Sequence, residues 1–457
     1  MTRFEFDHLP VPDIRTPLPG PNGAGLLSRH ERFVSSSYTP AYPLFVDRAS
    51  GCVVRDVDGN LFLDFTAGIA VTNVGHCHPE VVAAIRDQAT RLIHMSGTDF
   101  YYRPQIDLAE RLAQAAPGSS PKKVFFCNSG AEAIEAALKL ARWHTRRNRV
   151  VAFFGAFHGR TYGAMSLSAS KLVHRRRFSP LVPDIHHVDF PRQCPSACRL
   201  ASGGGCGLIA GIEDTIFRRT CPPEEVAAIF VEPIQGEGGY HPLPPGCLPA
   251  LRRLCDEYGI LLVVDEVQTG MGRTGRLFAV EHYGVEPDII CAAKGIANGL
   301  PLGAVIARAA VMDWPPGSHA STFGGNPVAC RAALTTLDLL QREYTANAAV
   351  RGEQLRAGLR ELAGRHPELT GVRGLGLMTA ADLPTVAHRE AVIQEAFRRG
   401  LLLLGCGDSA VRFCPPLCVT AEQIETGLRI LDGVLGAVEP ATPAPAADPS
   451  GTGLPVV

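Results

Sequence analysis

The chain has 457 residues, which suits one large or two modest domains, and its 46% apolar and 19% charged residues are typical of a globular protein. The 44 basic and 45 acidic side chains leave a net charge of −1, which disfavours nucleic acid and anionic membranes as partners, and no apolar run approaches the ~18–20 residues that span a bilayer. Because the acidic, proline-rich N-terminus lacks the apolar core of a secretory signal, we expect a soluble, cytoplasmic protein.

The first 40 residues predict an extended arm, since proline and glycine are frequent and no helical period is sustained. A hairpin is predicted over 53–65, with Asp58 and Gly59 at its turn. Short apolar runs then alternate with helical stretches such as 131–147. The predicted strands are KKVFFC (122–127), RVVAFFG (149–155), VAAIFVE (226–232), GILLVVDE (259–266), DIICAA (288–293) and LGAVIA (302–307). Because these runs are continuous rather than alternating, they indicate a mostly parallel α/β sheet that is covered on both faces.

After about residue 328 the sequence becomes rich in helical patterns with a few short strands, which predicts a smaller α+β domain. We expect residues 1–75 to form an N-terminal arm and part of that small domain. Residues 76–328 are the predicted large domain, and 329–436 the rest of the small one. The last residues, 437–457, are rich in proline and alanine and predict a disordered tail.

The 14 cysteines are too scattered for a disulfide framework, and most lie in apolar segments where a free cysteine packs as a small hydrophobe. Cys194, Cys198 and Cys206 form the one cluster. A zinc site usually takes four ligands, often with closer pairs. The cluster therefore favours a surface loop insertion, and no metal is expected.

Small or charged residues follow the predicted strands, and open α/β sheets bind ligands at the carboxyl ends of their strands. Ser129, Gly130 and Ala131 open a helix, and free N–H groups at a helix start suit a phosphate. An ordinary serine cap with nothing bound would have the same sequence. After the next strand, Phe157 could stack on a flat ring and Arg160 could pair with a carboxylate. Taken singly, Phe157 is more typical of a core ring and Arg160 of a solvated charge.

Three charged residues follow the most apolar strands. Asp265 and Glu266 come directly after buried residues, so each must be paired, either with a protonated ring nitrogen or with Arg273 or Arg276. Lys294 follows DIICAA, and burial there lowers a lysine pKa as a Schiff-base lysine requires. A lysine at a strand end often just snorkels to solvent. Together, a phosphate cradle, a stacking ring, a carboxylate and a lysine meet the needs of pyridoxal phosphate.

The combined motifs resemble those of the class III (ω-amino acid) aminotransferases, which are pyridoxal-phosphate enzymes of fold type I. The resemblance covers roughly residues 40–435. The motifs are GIAVTNVGHCHP (68–79), NSGAEAIEAALKLAR (128–142), FHGRT (157–161), EPIQGEGG (232–239), LLVVDEVQTGMGRTG (261–275), AKGIANGLPLG (293–303) and STFGGNP (321–327). The resemblance implies an α/β fold with a mostly parallel seven-stranded sheet in a large domain, plus a smaller α+β domain.

The resemblance also implies a cofactor site. Lys294 is implied as the lysine that bonds to the cofactor aldehyde and later carries the proton, and Asp265 as the partner of the pyridine nitrogen. The remaining implied cofactor contacts are Ser129, Gly130, Ala131, Phe157, His158, Glu232, Gln268 and Thr322. Thr322 would reach the cofactor of a partner subunit, which implies a homodimer, and such dimers could pair into a tetramer.

By the same resemblance, Arg160 would hold the distal carboxylate of 2-oxoglutarate and Arg412 its α-carboxylate. Glu237 would pair with Arg412 when the substrate has no α-carboxylate. Ile69 stands where ornithine aminotransferases have tyrosine, which disfavours ornithine. The resemblance thus implies transfer of an amino group from a 4-aminobutyrate-like donor to 2-oxoglutarate by a ping-pong mechanism, giving an aldehyde and glutamate.

Other activities use the same catalytic set. The long arm and the segment 312–327 also resemble a subgroup that includes amino-acid racemases and epimerases. An acetylornithine aminotransferase is a second alternative. A non-catalytic protein that keeps the fold is disfavoured by the intact Lys294 and Asp265.

Overall fold

A seven-stranded sheet lies at the centre of the protein. The computed structural model describes residues 3–192 and 207–439. Its strands are β1 (Val46–Ser50), β2 (Val53–Asp56), β3 (Leu61–Asp64), β4 (Lys122–Cys127), β5 (Arg149–Phe153), β6 (Ile185–Val188), β7 (Val226–Val231), β8 (Ile234–Gln235), β9 (His241–Pro242), β10 (Leu261–Asp265), β11 (Ile289–Ala292), β12 (Gly303–Arg308), β13 (Thr370–Leu375), β14 (Met378–Asp382), β15 (Leu401–Leu402), β16 (Leu404–Cys406) and β17 (Ala410–Phe413). Its α-helices are α1 (Pro21–Phe33), α2 (Ala67–Ala70), α3 (Pro79–Arg91), α4 (Arg103–Ala115), α5 (Gly130–Thr145), α6 (Tyr162–Leu167), α7 (Gly207–Gly211), α8 (Cys247–Tyr258), α9 (Pro327–Leu339), α10 (Thr345–Arg365), α11 (Val386–Arg398) and α12 (Ala421–Leu435).

The central sheet has the strand order β4-β12-β11-β10-β7-β5-β6. Its strands are parallel except β12, which runs antiparallel to both β11 and β4. The prediction of a mostly parallel seven-stranded α/β sheet is confirmed. All six predicted strands are present, whereas β6 escaped prediction because its sequence, IHHV, is half polar.

The apolar runs of the central strands are buried because helices cover the sheet. Every residue of β7 and of β10 is buried. Helix α5 packs against this sheet, and Ile134, Ala137, Leu138 and Ala141 on its inner face are buried. This packing leaves the strand ends as the places where polar side chains can meet.

The N-terminal arm departs from its prediction. Residues 21–33 form helix α1, although no helical period is sustained in the sequence. Pro21 stands at the helix start, and the Asp58 carboxylate accepts hydrogen bonds from the backbone N–H groups of Asn22 and Gly23, each at 2.9 Å. The expectation of an arm without a helix was therefore wrong, because a residue of the distant hairpin turn caps this helix.

Two further four-stranded sheets flank the central one, with the orders β1-β2-β3-β15 and β13-β14-β17-β16. The predicted hairpin is present as β2 and β3, and Gly59 in its turn has a φ of 88°. Strand β15 pairs in parallel with β3, so the N-terminal hairpin and the C-terminal region share one sheet. The domain boundaries at 75, 328 and 436 stay a prediction.

Two predicted features lie outside the described residues: the cluster of Cys194, Cys198 and Cys206, and all of the predicted tail beyond residue 439. Within residues 3–192 and 207–439, no group of histidine, cysteine and acidic side chains could hold a metal ion. Over the same ranges, no helix combines the length and apolar character needed to cross a membrane.

Candidate active site

The carboxyl ends of two neighbouring parallel strands bring Asp265 and Lys294 to one edge of the central sheet. Asp265 is the last residue of β10, and it lies opposite Cys291 of β11. Lys294 follows two residues after the end of β11 and begins a 3₁₀ turn, Lys294–Ala297. The structure therefore places together the carboxylate and the amine that the sequence singled out.

Asp265 is only 4% exposed, and its carboxylate is held on both oxygens. His158 Nδ1 lies 2.7 Å from Oδ2, and the backbone N–H of Val267 donates to Oδ1 at 2.9 Å. Burial alone lowers the pKa of His158, but the hydrogen bond and charge of Asp265 outweigh burial and raise it. The Asp265 carboxylate thus stabilises the imidazole in its protonated form.

The alternative partners proposed for the strand-end carboxylates are not used. Arg273 is fully buried, and it donates to the carbonyl oxygens of Leu377 and Pro415 instead. Glu266 accepts hydrogen bonds from the Thr269 hydroxyl and from a backbone N–H, and burial raises its pKa to about 7. Asp265 therefore has a histidine, not an arginine, as its partner.

Lys294 is half-buried, and burial lowers its pKa below the usual 10.5 although the charge of Asp265 opposes this shift. Its φ of 44° lies in the left-handed region, which is strained for a residue with a side chain. A lowered pKa increases the fraction of neutral amine, which is the form that attacks a carbonyl and accepts a proton.

Glu232 and Gln268 hold the loops around this pair. Glu232 is buried, and its carboxylate accepts from the backbone N–H groups of Phe157 at 3.2 Å and Gly236 at 3.1 Å. Burial raises the pKa of Glu232 to about 7. Gln268 Oε1 accepts from the Tyr240 hydroxyl at 2.7 Å. Both side chains thereby fix the loops that follow β5, β7 and β10.

The start of helix α5 lies beside the loop after Asp265. Ser129 Oγ accepts from the Glu132 N–H at 3.2 Å, so the serine acts as a helix cap. A Cβ on Gly130 would lie 2.7 Å from Val267 Cγ1, so glycine permits this close approach. The first turn, which includes Ala131, leaves N–H groups without intrahelical acceptors, and such groups bind anions.

A second ion pair lies nearby. Arg412 of β17 is buried, and its Nη1 lies 2.6 Å from Glu237 Oε1. Burial alone raises the pKa of Glu237, but Arg412 outweighs it and the pKa falls below its usual value. Lys171 Nζ lies 3.8 Å from the other oxygen of Glu237. The sequence analysis missed Lys171, since an exposed lysine in the basic stretch KLVHRRRF carries no distinguishing pattern.

The remaining predicted residues are partly or fully exposed. Phe157 is half-buried, and the Arg160 guanidinium carbon lies 5.8 Å from the centre of its ring. Arg160 is exposed and forms no ion pair with the described residues. Ile69 is 39% exposed and has a φ of 66° within the left-handed turn of α2. Thr322 is exposed in this single chain, so no described residue covers it.

A sequence model described as "Aminotransferase class-III" matches residues 33–435. The chain belongs to this family. The 4-aminobutyrate aminotransferase of Escherichia coli is 40% identical over 418 residues, which cover 89% of this chain and 96% of the relative. The acetylornithine aminotransferase of a Nostoc species is 42% identical over 410 residues, which cover 87% of this chain and 90% of the relative.

Solved transaminases share the fold of this aminotransferase. The ornithine aminotransferase of Toxoplasma gondii is 33% identical with a TM-score of 0.82, covering 91% of this chain and 95% of that one. A pyridoxal-phosphate-bound amine transaminase from an uncultivated Pseudomonas species is 32% identical with a TM-score of 0.80, covering 89% of this chain and 98% of that one. The aminotransferase has the α/β architecture of fold type I and is a pyridoxal-phosphate enzyme.

The donor set of this aminotransferase fits that cofactor. An aldehyde needs an amine with a lowered pKa, and a pyridine nitrogen needs an ionised carboxylate. Burial lowers the pKa of Lys294, Asp265 is a buried carboxylate held by His158, and the two residues lie at the ends of adjacent strands. A phosphate needs free N–H donors, which the start of α5 presents beside them.

Proposed function

We propose that this aminotransferase moves the amino group of 4-aminobutyrate, or of an ω-amino acid of similar length, to 2-oxoglutarate. The mechanism is ping-pong: the first half-reaction releases an aldehyde and the second releases glutamate. The observation that carries this proposal is the ion pair between Arg412 and Glu237, with 2.6 Å between its atoms.

The pair supports a donor without an α-carboxylate. An ω-amino acid has no carboxylate next to the carbon that reacts, so nothing in such a substrate neutralises Arg412. A buried charge without a partner costs about 3–5 kcal/mol, and Glu237 removes that cost. Glutamate brings an α-carboxylate of its own, which replaces Glu237 on Arg412. One pocket can then serve both half-reactions.

The residues at the sheet edge would perform the chemistry. Pyridoxal phosphate supplies an aldehyde for the substrate amino group and a ring that withdraws electrons from the adjacent carbon. Lys294 Nζ would take the proton from that carbon and deliver it to the former aldehyde carbon, so that the amino group stays with the cofactor. The negative charge of Asp265, held in place by His158, favours a protonated ring nitrogen. The N–H groups at the start of α5 bind the phosphate.

The neighbouring residues would orient the two substrates and the ring. Phe157 would lie against one face of the ring, and Gln268 near its oxygen. Arg160, which is free of any ion pair in the described chain, would bind the distal carboxylate. Both 4-aminobutyrate and 2-oxoglutarate have such a carboxylate, so one arginine serves both.

The site is expected to be completed by a second copy of the chain. The segment around Thr322 packs against residues 93–102, since the Asn326 side chain donates to the Ile93 carbonyl at 2.9 Å. Together they expose large apolar side chains, including Phe323 at 62% and Tyr101 at 97%. Exposed apolar patches of this kind are typical of protein interfaces. They support a homodimer in which Thr322 reaches the partner's cofactor.

A second candidate is acetylornithine aminotransferase, which the 42% identity to such an enzyme favours. It also transfers an amino group that lies far from an α-carboxylate, so the Arg412–Glu237 pair does not separate the two donors. One added methylene in a pocket changes specificity by only about 1–3 kcal/mol.

The test is a donor panel. Purified holoenzyme is mixed with 4-aminobutyrate, 5-aminovalerate, N-acetylornithine or ornithine without an acceptor, and the cofactor absorbance is followed. We expect the largest kcat/KM for 4-aminobutyrate and the release of glutamate when 2-oxoglutarate is added. Faster conversion of N-acetylornithine would select the second candidate.

Two further measurements serve as controls for the donor panel. Loss of optical activity of an amino acid without any keto acid would indicate a racemase or epimerase, and no conversion of any ω-amino acid would refute the proposal. Borohydride reduction of the holoenzyme should attach the cofactor to the peptide that contains Lys294. A peptide of unchanged mass would refute the assignment of that lysine.

A further inference from the structure

Glu237 lies between two cations, and the motifs of the sequence mark only one of them. Arg412 contacts Oε1 at 2.6 Å, and Lys171 Nζ lies 3.8 Å from Oε2. The Arg412 side chain is 5% exposed, whereas that of Lys171 is 40% exposed. The carboxylate therefore has a buried partner and a second partner nearer to solvent.

Lys171 is held in place by a short turn. It precedes the 3₁₀ turn Leu172–His174, and the His174 N–H donates to the Lys171 carbonyl at 3.1 Å. The buried His174 ring packs edge-on against Phe157, with 5.2 Å between the ring centres. The Lys171 backbone is thus anchored beside Phe157, while its side chain reaches towards Glu237.

The backbone of Glu237 is fixed as well. Its carbonyl accepts from the Gly407 N–H at 2.8 Å, and the preceding Gly236 N–H donates to Glu232 at 3.1 Å. No backbone N–H of the described chain donates to the Glu237 side chain. Only that side chain is free to change partners, by rotation about its own bonds.

With Lys171 as a second partner, each carboxylate in the site can keep a cation in both half-reactions. With an ω-amino acid bound, Glu237 neutralises Arg412, and Lys171 keeps only a long contact of 3.8 Å to its other oxygen. With glutamate bound, the α-carboxylate occupies Arg412, and Glu237 has to leave. A partly buried carboxylate without a partner is unfavourable, and Lys171 is the other cation of the described chain that forms an ion pair with Glu237, at 3.8 Å. Arg412 then pairs with the α-carboxylate of glutamate, and Lys171 pairs with Glu237.

We propose that Lys171 is the alternate partner of Glu237 and holds its carboxylate away from Arg412 during the glutamate half-reaction. This inference rests on the proposed function, in which Glu237 leaves Arg412 once per cycle. Lys171 acts through Glu237 and is a positioning residue. It favours substrates that have an α-carboxylate without contacting them.

The test compares the two half-reactions in Lys171→Met holoenzyme. Each is measured by single-turnover absorbance, one with 4-aminobutyrate and the other with glutamate. We expect the apparent dissociation constant for glutamate to rise about five- to tenfold, since a partly exposed ion pair is lost, while that for 4-aminobutyrate changes less than about twofold. Lys171→Arg should restore glutamate binding.

Two controls separate this effect from a general one. Arg176→Met removes an exposed cation from the same segment and should change neither half-reaction. In a Glu237→Gln background, Lys171→Met should no longer affect glutamate, because the two residues act as one unit.

Three results would overturn the inference. Equal weakening of both substrates would mean that Lys171 binds the distal carboxylate that they share. No weakening of glutamate, or weakening that persists in the Glu237→Gln background, would show that Lys171 does not act through Glu237. If wild-type enzyme converts neither substrate, the proposed function itself fails, and that result is visible before any variant is made.

Discussion

Two ion pairs of nearly equal length lie in the site, and they differ in what else holds their carboxylates. His158 and Asp265 are 2.7 Å apart, and Arg412 and Glu237 are 2.6 Å apart. The other oxygen of Asp265 accepts a backbone hydrogen bond from Val267, whereas that of Glu237 faces a second cation. The distance within an ion pair therefore does not show whether the pair can separate. Separation depends on whether a second cation is available to the carboxylate, as Lys171 is to Glu237.

The largest effect is expected at the pair of His158 and Asp265, whose carboxylate has no second cation as an ion-pair partner among the described residues. Asp265→Asn removes the negative charge beside His158 and, by the proposed mechanism, beside the ring nitrogen, so both half-reactions should slow together by about 10³-fold. Single-turnover absorbance with 4-aminobutyrate and with glutamate measures this. A loss confined to one substrate would mean that this pair, too, takes part in selecting substrates.

A smaller effect, confined to one substrate, is expected at the pair of Arg412 and Glu237. Glu237→Gln leaves Arg412 without a negative partner, so the carboxylate of 4-aminobutyrate can occupy it in an unproductive orientation. We expect kcat/KM for 4-aminobutyrate to fall about tenfold, while that for glutamate is retained. The ratio of the two constants is the measurement. If both constants fell to the same extent, the contrast between the two pairs would disappear.

The smallest effects are opposite pH dependences of stability. Burial lowers the pKa of His158 but Asp265 raises it overall, so this pair stabilises the fold most below the ordinary histidine pKa, and its contribution fades as pH rises through the raised value. Burial raises the pKa of Glu237 but Arg412 lowers it overall, so that contribution is complete above the ordinary glutamate pKa and fades in acid.

Urea unfolding midpoints between about pH 4 and 9 measure this contrast. The destabilisation by His158→Gln should shrink towards alkaline pH, and that by Glu237→Gln should shrink towards acid pH. Slopes of the same sign for both variants would contradict the assigned protonation states.

The sequence predicts the central sheet well because its strands are covered on both faces and read as uninterrupted apolar runs. It also locates Asp265 and Lys294, since a charge at the end of such a run is conspicuous. The sequence does not predict helix α1, because the residue that caps it, Asp58, lies 35 positions away from Gly23. The sequence does not single out Lys171 as a site residue, because its role depends on its distance to Glu237, which no local pattern encodes.

Some expectations concern partners that a single chain does not contain. Thr322 is exposed, and its predicted contact is with another subunit. Ile69 lies in a strained left-handed turn, and its effect on donor choice depends on the bound substrate. The domain boundaries and the cytoplasmic location likewise stay predictions.

The reversed direction of β12 has a consequence for efforts to redesign this enzyme. Because β12 runs against its neighbours, its first residue, Gly303, lies opposite Cys127 at the edge where the parallel strands end. A Cβ there would overlap the carbonyl oxygen of Ser129. Any library built to widen or polarise the pocket must therefore keep glycine at position 303, because the direction of β12 brings this residue against the Ser129 backbone.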